Sequence, residues 1–98
     1  MNIQKLMRQA QQMQERMQRE LGELVVEAAS GGGMVKVSMS GHKHLLSVAI
    51  DPEAIDPSDP AMLQHLVLAA VNEACRKVDE ALQSRLGSMA GGLPPGLG

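Results

Sequence analysis

Four cationic side chains, Lys5, Arg8, Arg16 and Arg19, punctuate the opening segment MNIQKLMRQAQQMQERMQR, in which Glu15 is the lone acid. Wound as an α-helix at about 100° per residue, these cations fall within an arc of about 80°. Ile3, Leu6, Ala10, Met13 and Met17 fall on a stripe nearly opposite. The spacing predicts a two-sided rod, one side built to be buried and the other to meet solvent or a polyanion. Cations spaced along a rigid element can neutralise successive phosphates, and counterion release then supplies affinity. The same pattern also serves as the plain solvated side of an amphipathic helix. The segment alone leaves both readings open.

Other reactive residue types are sparse. His42 and His44 share one face of an expected strand, a spacing able to hold a metal, yet no further Cys, Asp or Glu stands at ligand spacing. Cys75 falls within the apolar arc of the second helix and reads as a small buried hydrophobe. His65 falls on that helix's polar side. Gly31-Gly32-Gly33 lies between strands and lacks the helix, Lys and Ser/Thr that follow a phosphate-cradling loop, so it reads as a turn. Asp51, Glu53, Asp56 and Asp59 cluster at helix starts, where capping accounts for carboxylates. No nucleophile, base and orienting group converge, so the chain does not read as an enzyme, and no cofactor, metal or small-molecule substrate is implied.

The elements that position these residues must be built from a restricted alphabet. The 98 residues contain no Phe, Tyr or Trp, and eight Met. A core of Leu, Val, Ala, Ile and Met buries less area per side chain than one with aromatic rings, so a single small domain should have a thin core. The missing rings also remove any stacking platform for single-stranded nucleic acid. The formal net charge is −2, but it is divided unevenly. Residues 31–50 hold Lys36 and Lys43 with no acid, and residues 51–60 hold four acids with no base. An acidic total therefore does not exclude a polyanion partner. The longest apolar run, LVLAAV at 66–71, is too short for a membrane span, and no apolar leader opens the sequence. With a single Cys, this reads as a cytoplasmic chain.

The first helix is expected to stop near Gly22. Leu24-Val25-Val26 then opens a β-rich stretch, Met34–Ser40 alternates with Val35, Val37 and Met39 on one face, and Leu46, Val48 and Ile50 continue on a third strand. Asp51-Pro52 predicts a single turn, and Asp59-Pro60 starts a long helix over residues 60–86 that Gly87 should end. Residues 1–86 would form one domain and the Gly/Pro-rich residues 87–98 a tail. The helices, about 30 and 39 Å long, must overhang strands of about 20–23 Å. The second helix has an apolar arc near 200°, too broad for one thin sheet and one helix, so a symmetric dimer is expected. Met7, Met13 and Met17 are expected to be core, covered in part by the second chain.

MRQAQQMQERMQ (7–18), GGGMVKVSMSG (31–41), VAIDP (48–52), LVLAAVNEACRKVDE (66–80) and LPPG (93–96) together resemble the YbaB/EbfC family of small bacterial nucleoid-associated proteins. The resemblance implies an α+β fold, an α-β-β-β-α protomer whose three-stranded antiparallel sheet carries two long projecting helices. It further implies a tweezer-like homodimer that binds double-stranded DNA with little sequence preference in the nucleoid, with a possible part in gene regulation. By that analogy Lys5, Arg8, Arg16 and Arg19 would touch phosphate, joined by Arg76 and Lys77. Nothing here resembles a base-reading set. An adaptor that docks a partner protein through the Met-rich helix is the alternative. Whether the basic residues of 31–50 face DNA or the dimer seam is left open.

Overall fold

A computed structural model describes residues 2–90, with side chains through Arg85. Helix α1 spans Ile3–Glu23, strands β1, β2 and β3 span Val25–Ser30, Val35–Ser40 and Leu45–Ile50, and helix α2 spans Pro60–Ala90. The sheet is an antiparallel meander in the order β1-β2-β3. This α-β-β-β-α order is the one expected. Helix α1 ends near Gly22 as expected, at Glu23, before Leu24 turns extended. Gly87 does not end α2, which continues to Ala90; the rest of the expected tail, 91–98, lies outside the described residues.

Local chemistry accounts for each boundary. Asn2 caps α1, its Oδ1 accepting from the Lys5 N–H at 3.1 Å. Gly31, Gly32 and Gly33 form the expected turn between β1 and β2, all three with positive φ. Asp51 caps the short 3₁₀ turn Pro52–Ala54, accepting from the Glu53 N–H at 2.9 Å. Asp59 accepts from the Met62 N–H at 3.3 Å as α2 begins at Pro60.

Alternation along β2 aims Val35, Val37 and Met39 at α2, where they meet Ala28 of β1 and Ala70, Ala74 and Val78 of the helix. Val35 and Val78 are wholly buried, and a buried valine contributes about 1.5–3 kcal/mol. The alanines allow α2 to lie close on the sheet, and it lies over β1 and β2. Cys75 is half-buried rather than buried, with Sγ 3.8 Å from Met39 Sδ. Strand β3 receives no such cover. Ile50 pairs with Val35 and Val48 with Val37, so both face the α2 side, yet Val48 remains 44% exposed. By the same alternation Leu46 stands on this open apolar face, and a register shift between Ser38 and Met39 pairs Met39 with Leu45.

Helix α1 buries no residue at all. Met7, Met13 and Met17, expected in the core, are exposed because the helix leaves the sheet instead of lying on it. Its anchor is backbone. The Gly41 N–H donates to Leu21 O and Leu24 O, each at 3.0 Å. A side chain at Gly41 would have its Cβ driven into the Leu21 carbonyl and 3.0 Å from Leu21 Cα. A looser tie joins Arg85 Nη1 to Glu20 Oε2 at 3.6 Å. The principal extents, 69 × 31 × 16 Å, reflect these overhanging helices.

Gly41→Ala should therefore cost about 1–3 kcal/mol, because backbone must shift to relieve the overlap. Urea unfolding followed by circular dichroism would show this as a lower midpoint with an unchanged slope.

Candidate nucleic-acid interface

The cations divide into two populations. Lys5, Arg8, Arg16 and Arg19 are all exposed along α1, and none forms an ion pair among the described residues. Helical geometry gathers them along one side of a rod that is seated on the sheet through the Gly41 contact and its surroundings. The sequence-predicted arc is thus a solvated cationic face on a projecting arm, with Lys5 and Arg8 about 12 Å along the helix from Arg16 and Arg19.

The cations of the sheet-and-α2 body are mostly held by partners. Arg76 Nη1 donates to Glu80 Oε2 at 2.7 Å, while its Nη2 and Nε reach the two Glu73 oxygens at 2.6 and 3.0 Å. These hydrogen bonds raise the already high Arg76 pKa, and the Arg76 guanidinium holds Glu73 below the usual glutamate range. Lys77 Nζ donates to Glu27 O at 2.7 Å, closing over β1. Arg76 and Lys77 are sequence neighbours but point to different partners, and neither joins the α1 strip. Lys43, which has a left-handed φ of 62°, places Nζ 2.8 Å from Asp79 Oδ1. Hydrogen bonding and attraction from Asp79 raise its pKa. Lys36 alternates with Val35 and Val37, so it stands exposed on the sheet face away from α2.

His42 and His44 do not share a strand face: they flank Lys43 in the turn before β3, with ring centroids 6.0 Å apart. Among the described residues no group of three potential ligands gathers around them or elsewhere. His65 is exposed, as expected. Asp56 belongs to a local turn, where its hydrogen bonds from the Ser58 hydroxyl and N–H lower its pKa. No helix among the described residues is long and apolar enough to cross a membrane.

Two features escaped the sequence reading. Gly41 read only as a turn residue, although its contact with Leu21 sets where the arm leaves the sheet. The open apolar face of β3 and α2 was anticipated only as excess apolar width on α2. It consists of Leu46, Val48 and Ile50 beside an apolar groove formed by Ile55, Leu63, Val67, Leu68 and Val71. The full alternation of β3 without a covering helix was the available signal.

The described residues form a thin α+β body bearing an exposed cationic helical arm. The YbaB/EbfC DNA-binding family matches residues 1–93, and this chain belongs to that family. It is 49% identical to a nucleoid-associated protein of Koribacter versatilis, with 94% of this chain and 91% of that protein covered. It is 50% identical to a nucleoid-associated protein of Acetivibrio thermocellus, covering 98% and 89% respectively. The crystal structure of an uncharacterized Helicobacter pylori protein shares the fold, with a TM-score of 0.74 at 23% identity over 89% of this chain and 91% of that one.

The Arg76 cluster makes a measurable prediction. The side-chain carboxyl of Glu73 should titrate below the ordinary glutamate value of about 4.3, and Arg76→Gln should return it there. Because the folded pKa is lowered, the stabilisation from this pair is present above that ordinary value and is lost as pH falls through the folded pKa. Carbon-detected NMR titration of Glu73 checks both statements.

Proposed function

We propose that this chain binds double-stranded DNA as a homodimer with little sequence preference, and that it acts in the nucleoid of a bacterial cytoplasm to organise DNA and thereby influence gene expression. The single observation that carries the reading is the cationic strip of Lys5, Arg8, Arg16 and Arg19, without ion-pair partners among the described residues, on a helix none of whose residues is fully buried. A helix devoted to the fold would bury an apolar face; this one holds its charges out where a phosphate backbone can reach them. Family membership supports DNA as the polyanion.

Phosphate contact falls chiefly to the α1 cations. Arg76 and Lys77 add to it only by exchanging Glu73, Glu80 and the Glu27 carbonyl for phosphate, so their contribution is smaller. With no base-reading side chains, discrimination between duplexes comes from shape and bendability. The second copy covers the open face of Leu46, Val48, Ile50 and Leu68, whose exposure in one protomer leaves a broad apolar surface in water.

Two measurements test this. Duplex affinity should fall linearly on a log–log plot against salt, and Arg8→Glu with Arg16→Glu should weaken all duplexes alike, reducing the slope by about 0.9 for each phosphate no longer neutralised. Unchanged binding by that variant would refute the assignment of the arm. Val48→Asp with Leu68→Asp should convert a two-chain species into a single 10.4 kDa chain with its helical signal intact. A parent already of that single mass at micromolar concentration would refute the dimer.

A further inference from the structure

The apolar stripe on α1 is left over by everything above. Ile3 is 66% and Met13 64% exposed, and Leu6 and Met17 are exposed too. The stripe follows a strict alternation of three- and four-residue steps through Ile3, Leu6, Ala10, Met13, Met17, Glu20 and Leu24. That is the heptad spacing of a coiled-coil seam. Between Ala10 and Met17 the stripe is flanked by Gln9, Gln14 and Arg16, and Met7 and Leu21 widen it along one flank, at the position beside the seam. Its shape fits another helix.

We infer that α1 is a second self-association seam, separate from the β3–α2 face, through which arms of neighbouring dimers pair antiparallel and make binding along a duplex cooperative. The inference rests on the DNA-binding dimer proposed above. Chemical complementarity selects the occupant and its direction. Parallel pairing would set Glu20 against Glu20 of the second copy. Antiparallel pairing sets Ala10 opposite Met13, Leu6 opposite Met17 and Glu20 opposite Ile3, with Gln9 beside Arg16 on the flank. Each small residue then meets a large one and no like charges meet. Lys5, Arg8 and Arg19 lie on nearly the opposite side of the helix and Arg16 at the border of the seam, so paired arms still present the cations outward.

The paired length from Ile3 to Glu20 is about 27 Å, short enough that arms alone associate weakly. Dimers held side by side on a duplex are at high effective concentration, and there the seam closes. One isologous contact at the β3–α2 face and a second at the arm together allow a chain of dimers to extend.

The test uses the full chain with Leu6→Gln and Met13→Gln, which keep charge and helix propensity and touch nothing buried. On a long duplex the parent isotherm should be steeper than single-site binding, whereas the variant should lose that steepness and about tenfold or more in apparent affinity. On a duplex short enough for one dimer the two should bind equally, and in dilute solution the variant should keep its two-chain mass. A variant as steep as the parent overturns the inference, and so does one that dissociates to single chains, which would make the stripe the primary dimer contact. Should the parent bind no duplex, the DNA reading fails by itself. The seam is then judged by mass at rising concentration: parent species beyond two chains, absent in the variant, uphold it, and a parent that never exceeds two chains overturns it.

Discussion

Ala70 and Ala74 of α2 lie against a sheet surface of Ala28, Val35, Val37 and Met39, and this close seat decides what every other element can do. Without aromatic side chains the body has little volume with which to fill a gap between helix and sheet. Small residues close that gap, and the cost is reach: one helix so seated covers two strands and leaves the third open. The uncovered face of β3 and the unburied arm are both consequences of a core that stops at β2.

Charge follows the same division. In the body, Lys43, Arg76, Lys77 and Arg85 each meet an oxygen partner, with Lys36 standing apart on the far sheet face. On the arm, Lys5, Arg8, Arg16 and Arg19 meet none among the described residues. Residues 1–19 carry a formal +3, whereas residues 20–98 hold five bases against ten acids, so the field is positive where the chain projects and negative where it folds. Exposed ion pairs of the Arg76 kind add little stability, so their larger effect is to quiet the body's charge and leave the arm as the polyanion-seeking surface.

Much of this was legible before the structure. Strict alternation in Val35–Met39, the triple glycine and the two Asp-Pro starts each reported a local constraint that tertiary packing did not override. Gly22 marked the end of α1 to within one residue, whereas Gly87 misled because a glycine ends a helix only when the chain must turn there, and α2 continues. The methionines of α1 show what such a stripe states: that something will cover it, and in one protomer its own sheet does not. The α1 cation arc and the Arg76 pairs with Glu73 and Glu80, one helical turn away, could be drawn from the sequence, whereas the pairing of Lys77 and Lys43 could not, since their partners, Glu27 and Asp79, are remote in sequence. Gly41 was hidden for the same reason, its role being set by Leu21 across the fold.

Seating the arm through main-chain atoms of Leu21 and Gly41 has a consequence for how such a chain changes over generations. Every side chain from Ile3 to Arg19 can be exchanged without opening a cavity or stranding a buried donor, because none is interior. Selection can therefore retune the grip of the arm, strengthening or relaxing it residue by residue, while the folded scaffold stays indifferent to the experiment.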